Sequence, residues 1–250
     1  MTKKENETQR FWEIRAAHYD KLFWVKDENY LDEIIRVGKF KKTQIVLDVG
    51  TGTGIVARKL INHVKHVLAI DISHSMLDKG KWEGMSIIKW DIGNTLFRES
   101  LFDKITARMV FHHILSNLDR VLLRCYDVLK EGGEIIVAEG VPPTDDEEVI
   151  SWYTNMFKLK EDRRTFSIEM LQYFLEKNGF VNIKTHIYII ERFSINNWLR
   201  NSGLTKARQE KIYKMHINAN AKIKKAYNMS VANGDCLVRT KNIIMVGQKK

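Results

Sequence analysis

Proline and cysteine are scarce in this chain. Only Pro142-Pro143 and the widely spaced Cys125 and Cys236 occur in 250 residues. Two cysteines so placed offer neither metal-ligand spacing nor a redox pair, and they are expected to be buried small apolar side chains. No proline-rich linker, low-complexity stretch or internal repeat divides the sequence, so a single domain over 1–250 is expected. No run of about 18 apolar residues exists, which excludes a membrane-spanning helix. The opening MTKKENETQR is polar with no apolar stretch behind it, so a cytoplasmic location is expected rather than secretion. Acidic residues are scarce at one end. From 191 to 250 there are 13 Lys and Arg against 3 Asp and Glu, so the net charge of +10 belongs to that quarter.

What is present is a sizeable apolar fraction, 44%, arranged in alternation. Strand-length runs at Ile45–Val49, Val67–Ile70, Ser86–Trp90, Lys104–Val110 and Glu134–Ala138 alternate with helical patterns near Ile55–His63, Ser75–Lys81 and Asn117–Leu129. That alternation predicts βαβ units and a parallel sheet with helices on both faces. Lys130-Glu131-Gly132-Gly133 reads as the end of the third helix. A helical segment, Thr8–Leu22, precedes the sheet, with Phe11 and Trp12 expected on its core face. After Pro142-Pro143 come helices near Asp145–Leu159 and Ile168–Lys177, a strand at Val181–Ile189, one long helical stretch at Leu204–Tyr227 and a strand around Asn242–Val246.

The most informative stretch is "QIVLDVGTGTGI", Gln44–Ile55. A strand running into a glycine-rich turn and a helix places backbone N–H groups at the sheet's C-terminal edge, where ligands of open α/β sheets bind. The string G-x-x-x-x-G-K-[ST] of a P-loop is missing, and the spacing G-x-G-x-x-G/A puts Ile55 at the third small position. Asp48 at the strand end would repel a pyrophosphate and suit a cationic ligand.

Asp48-Val49-Gly50-Thr51-Gly52-Thr53-Gly54 resembles the first motif of the class I S-adenosylmethionine-dependent methyltransferases. "VLAIDISHSML" resembles the second, "KWDIGN" the third, "FDKITARMVFHHI" the fourth strand and "VLKEGGEIIVAEG" the fifth. The sub-pattern is similar to the ubiquinone/menaquinone-type group through "DISHSML", "LKEGGE" and the N-terminal "AAHYD". The resemblance implies a doubly wound, mostly parallel seven-stranded α/β sheet with helical cap insertions, and S-adenosyl-L-methionine as cofactor. It implies that Asp48, Gly50, Gly52 and Gly54 form the cofactor turn and that Asp71 accepts the ribose hydroxyls. Ile72 and Met76 would flank the adenine, Asp91 and Ile92 would bind its edge, and Tyr19 would cover the cofactor. Arg15 or Arg108 would pair with the cofactor's carboxylate.

Methyl transfer is an in-line displacement that needs a positioned nucleophile and excluded water, with a base only where the nucleophile carries a proton. The reacting methyl belongs near the end of the fourth strand, at Phe111-His112-His113. Adjacent side chains on a strand diverge, so no metal is expected, and His113 rather than His112 is expected to face the pocket. Glu139 is a second candidate acid or base. The Asn/Asp-Pro-Pro-aromatic string of exocyclic-amine enzymes and the Pro-Cys of cytosine-C5 enzymes are both missing. Residues 8–140 are read as the cofactor core and 141–166 and 194–232 as substrate cap, with Trp152, Tyr153, Phe157 and Trp198 as wall or core and Arg163-Arg164 as a binder of an anionic substrate group or, by default, a surface pair. The reading is a methyltransferase acting on a small molecule, with carbon or oxygen favoured and nitrogen left open. An RNA or protein methyltransferase using the basic end, and a non-catalytic cofactor binder, are the rivals. Nucleic acid is disfavoured, because the lysines from Lys206 to Lys225 fall outside the apolar stripe and no exposed aromatic set accompanies them.

Overall fold

The computed structural model describes residues 3–94 and 97–250, with residues 3 to 9 described by their backbone alone. The chain opens with α1 (Lys3–Ala16), two short 3-10 turns at Tyr19–Lys21 and Phe23–Lys26, and α2 (Glu28–Gly38). Alternation follows: β1 (Ile45–Val49), α3 (Ile55–Leu60), β2 (His66–Asp71), α4 (His74–Leu77), β3 (Ser86–Lys89), β4 (Phe102–Arg108), a 3-10 turn at Phe111–His113, α5 (Leu118–Val128) and β5 (Leu129–Val141). The remainder is α6 (Glu147–Lys160), α7 (Ile168–Lys177), β6 (Phe180–Ser194), α8 (Ile195–Arg200), α9 (Lys206–Ile217), α10 (Ala221–Ala226), β7 (Ser230–Ala232) and β8 (Asp235–Lys249).

β1 is buried on both faces, as the β-branched run Ile45-Val46 and the following Leu47 demand, and it lies inside a sheet of order β3-β2-β1-β4-β5-β8-β6. β8 runs antiparallel to both β5 and β6, and the short β7 folds back on β8, adding an eighth strand to the expected seven. The strand order reverses beside β1, between β2 and β4. That reversal opens a crevice at the C-terminal ends of these strands. Among the described residues no helix is long and apolar enough to cross a membrane. Both cysteines are free and buried.

Several expectations need correction. Lys130–Gly133 continues β5 instead of closing α5, with Gly132 at φ 71° beside an irregularity in the β4 pairing. β4 stops at Arg108, because Met109 turns the chain at φ 56°. The stretch Leu204–Tyr227 is two helices: Asn218 and Asn220 interrupt it, and the Asn220 side chain accepts from Ile223 N–H to start α10 afresh. α2 and α8 were not expected. Their caps are Asp27 and Ser194, whose side chains accept from Tyr30 N–H and Asn197 N–H.

A second apolar cluster, including Val149, Tyr153, Met156, Trp198, Ile212 and Tyr227, joins α6, α8, α9 and the end of α10 to Leu22 and Val25 of the N-terminal segment and to Cys236 and Val238 of β8. α1 crosses to pack on α4, and α6 lies against α9 and α10.

Candidate active site

The C-terminal ends of β1, β2 and β4 open onto a cleft floored by Gly50 and Gly52, both left-handed at φ 63° and 59°. The two glycines serve different needs. A Cβ on Gly50 would lie 2.4 Å from Val110 Cγ2, whereas the nearest atom to one on Gly52 is Tyr19 Cε1 at 3.9 Å. The backbone at Gly52 therefore borders open space, a cradle that a larger side chain would fill. Gly52 N–H donates to Asp71 Oδ2 and Ser73 N–H to Asp71 Oδ1, both at 2.8 Å. Burial raises the Asp71 pKa while these N–H groups oppose the rise. Each oxygen keeps a further lone pair for a ligand. Tyr19, Ile72, Met76, Asp91 and Ile92 line the same cleft, and Gly93 N–H holds Asp91 Oδ1 at 2.8 Å.

Three expected cofactor residues sit differently. Asp48 does not line the cleft: it is 2% exposed and accepts from the Thr51 and Thr106 hydroxyls, each at 2.6 Å. A buried carboxylate must find partners, and here they occupy both oxygens and tie the turn to β4. Burial pushes its pKa up to about 6. Gly54 caps α3 at φ 79°, where a Cβ would stand 2.7 Å from Trp82 Cζ3, so its requirement is packing. Arg108 lines the cleft, but its Nη1 and Nη2 donate to Val25 O at 3.0 Å and Trp24 O at 2.9 Å. Its buried Nε finds no partner among the described residues and remains for a ligand.

Beyond the cleft lies an inner cavity of about 910 Å³ including its mouth, and the two share Trp12, Tyr19, Met109 and His113 as a wall. Trp12 is thus a wall residue, not the core residue expected. Tyr153, Phe157 and Trp198 line the cavity, whereas Trp152 packs its ring 5.0 Å from that of His216. Arg15 pairs with Glu161 here, away from the cofactor cleft, and Lys160 Nζ donates to the same Glu161 oxygen at 2.5 Å. Burial alone would raise the Glu161 pKa, yet Lys160 and Arg15 hold it well below the usual carboxylate range. Burial, with Arg15 beside it, brings Lys160 down to about 7. Arg164 donates to Ile114 O at 2.7 Å and Leu115 O at 2.6 Å, while the Arg163 side chain turns into the cavity, 7% exposed. The expected surface pair is therefore split.

His112 and His113 do not diverge. They sit on a 3-10 turn instead of a strand, with ring centroids 4.0 Å apart, and both line the inner cavity. The orienting carboxylate belongs to His112, not His113. Glu139, fully buried at the end of β5, receives Val110, Phe111 and His112 N–H on Oε1 and His112 Nδ1 on Oε2 at 2.6 Å. Burial pushes Glu139 up to about 7, and burial with Arg163 nearby holds His112 well below the usual imidazole value. With Nδ1 on the Glu139 carboxylate, a neutral ring that donates Nδ1–H would leave Nε2 as the acceptor, and the depressed pKa makes that nitrogen a weak base. One nitrogen or oxygen each of His112, His113 and Glu161 lie within 4.8 Å of one another. Arg15 and Lys160 already claim Glu161 and Arg163 adds a third cation, so the electrostatics oppose a metal ion there.

Lys160, Glu161, Thr240, Asn242 and Tyr227 were not singled out from the sequence. Lys160, Glu161 and Tyr227 lie inside the expected cap, at the ends of α6 and α10; Thr240 and Asn242 come from β8 and carry no local signature.

Residues 47–137 match the family model described as a methyltransferase domain. Over 173 residues the chain is 31% identical to phosphoethanolamine N-methyltransferase 2 of Caenorhabditis elegans, covering 64% of this chain and 37% of that protein. Over 149 residues it is 30% identical to the demethylmenaquinone methyltransferase of Thermotoga maritima, covering 56% and 65%. The chain thus spans less than two thirds of the length of these relatives. Among solved structures, the YcgJ protein of Bacillus subtilis superposes with a TM-score of 0.77 at 18% identity, over 89% of this chain and 99% of that one. Haemonchus contortus phosphoethanolamine N-methyltransferase 2, solved with S-adenosyl-L-methionine, gives 0.57 at 20% identity, over 89% and 53%. Fold and crevice define an open α/β domain with its ligand site where the strand order reverses. Residues 47–137, which supply β1 to β5 of that sheet, are similar to a methyltransferase domain.

Proposed function

We propose that the chain transfers a methyl group from S-adenosylmethionine to carbon or oxygen of a small molecule held in the inner cavity. The observation that carries this reading is the shared wall: Trp12, Tyr19, Met109 and His113 border both the open cleft and the inner cavity. The cleft suits the cofactor through the open cradle at Gly52, the spare lone pairs of Asp71 and the unpartnered Nε of Arg108. When bound, S-adenosylmethionine supplies a methyl carbon made electrophilic by its positive sulfur. The protein's own contribution is to position and to keep water out. Tyr19 and Trp12 cover the junction, and His112 Nε2, with Nδ1 fixed by Glu139, accepts the proton of an acceptor hydroxyl or acidified carbon. His113, at the wall between the two spaces, orients the acceptor.

The relatives' names point to a phosphate-bearing amine and to demethylmenaquinone, so they agree with a small acceptor without choosing one. The rival acting on RNA or protein draws its support from the basic end. Lys206, Arg208, Lys211, Lys214, Lys222, Lys224 and Lys225 are all exposed, and none lines either cavity. Two unpaired, buried cysteines support a cytoplasmic location. The test is incubation of the protein with methyl-labelled S-adenosylmethionine and separated small-molecule, RNA and protein fractions of a cell extract. Label is expected in the small-molecule fraction. Label in RNA or protein would overturn the reading, and cofactor binding with no label anywhere would favour a non-catalytic binder.

A further inference from the structure

We infer that the methyl acceptor carries an anionic oxygen group, a carboxylate or phosphate monoester, received in the inner cavity by Arg163 and Asn242. This rests on the reading of that cavity as the acceptor site.

The first ground is the direction of the unpartnered hydrogen-bonding groups. Five buried polar atoms of cavity-lining residues have no partner among the described residues: Trp24 Nε1, Arg163 Nη2, Tyr227 Oη, Thr240 Oγ1 and Asn242 Nδ2. Three of these are N–H groups that can only donate, and the other two are hydroxyls that can. Burying a donor without an acceptor is unfavourable, so a cavity that keeps several is shaped for a ligand rich in acceptor oxygens.

Charge is the second ground. Arg15, Lys160, Arg163 and Lys241 line the cavity against one carboxylate, Glu161, which Arg15 and Lys160 already hold. Arg163 Nη1 is 4.0 Å from Glu161, its Nε donates to Arg164 O at 3.3 Å, and its guanidinium lies 4.1 Å from the centre of the Phe157 ring. The planar fork is therefore held by stacking, with Nη2 left over, and a guanidinium in that state matches carboxylate or phosphate oxygens. Asn242 is 3% exposed, and its Oδ1 stands 3.6 Å from the position of a Cβ on Gly140, as the Tyr153 hydroxyl does at 3.7 Å. Arg163 lies over the same Tyr153 ring, 5.9 Å from its centre, so Arg163 and Asn242 both border the Tyr153 side of the cavity. Arg15, Arg163 and Lys241, with a half-charged Lys160, outweigh the one Glu161 carboxylate, so an ammonium acceptor would enter a field of net positive charge.

The test is calorimetric titration of the protein, with and without S-adenosylhomocysteine, using benzoate, phenyl phosphate and benzylamine as probes of similar size. At least one anion is expected to bind saturably and benzylamine not to. Which anion binds separates the carboxylate from the phosphate source. Arg163→Gln is expected to weaken that anion by about tenfold or more, and Asn242→Leu severalfold, with S-adenosylhomocysteine affinity unchanged in both. Arg163→Lys, which keeps the charge and loses the fork, guards against a folding defect and should also weaken it. Binding of benzylamine in preference to both anions, binding of neither anion, or anion affinity indifferent to Arg163 and Asn242 would each overturn the inference. Failure of S-adenosylhomocysteine to bind would instead count against the cofactor reading, while the anion titrations are read on the same protein regardless.

Discussion

Glu139 is a residue whose part in the site depends on what it touches. A carboxylate at the end of a central strand reads as an acid or base, yet here it is wholly enclosed by three backbone N–H groups and one imidazole. On the proposed function it would act through His112. Glu139→Gln should therefore place an amide N–H against Nδ1, shift the ring proton to Nε2 and remove the base, lowering kcat by roughly a hundredfold with cofactor affinity unchanged. A purely structural Glu139 would lower stability but leave turnover per folded molecule and its pH profile intact, and those two readouts decide. Similar side chains part company at this scale elsewhere too. Asp71 borders the cofactor cleft while Asp48, on the neighbouring strand, spends both oxygens on threonine hydroxyls.

At the scale of elements, the glycine turn at the end of β1 was legible because strand, turn and helix are consecutive in sequence. The apolar strand Ile45–Val49 and the glycines after it specify backbone geometry without help from distant residues. The inner cavity was not legible, because it joins groups far apart: Arg15 meets Glu161 across 146 positions, and Asn242 arrives on β8. Periodicity also misled at Leu204–Tyr227, since the apolar steps Ile212, Ala219, Ile223 and Tyr227 stay in phase across a break made by two asparagines. Asn220 starts α10 through Ile223 N–H and donates to Glu148 Oε1 at 2.6 Å, tying α10 to the first turn of α6. Asn220→Ala should cost about 1 kcal/mol, the usual worth of such a cap, in urea unfolding. No change in the midpoint would show that the cap junction depends on the apolar contacts alone.

For the whole molecule, the basic quarter and the apolar cap are the same segment seen from two sides. The lysines of α9 and α10 face solvent, and Lys222 bridges to Asp146 at 2.7 Å and Glu148 at 3.3 Å, while Ile212, His216 and Ile223 face inward. His216 is 2% exposed, and its Nδ1–H donates to Ile212 O at 2.8 Å. Burial depresses its pKa from 6.5 to about 4. A depressed folded-state value means the native state resists protonation, so the stability contribution is whole above pH 6.5 and is lost as pH falls toward 4. The shift corresponds to about 3 kcal/mol at most. Unfolding by urea at pH 7 and pH 4.5 should show a steeper acid loss in the wild type than in His216→Gln. Equal losses would place the acid sensitivity elsewhere.

The central claim is that the crevice at the ends of β1, β2 and β4 binds S-adenosylmethionine through the Gly52 cradle and Asp71. Calorimetric titration with S-adenosylhomocysteine tests it most directly. The wild type should bind with one site per chain, Asp71→Ala should lose about 1–3 kcal/mol as the ribose hydroxyls lose a charged acceptor, and Gly52→Val should lose at least as much by filling the cradle. Unchanged affinity in both variants, or no binding by the wild type, would contradict it.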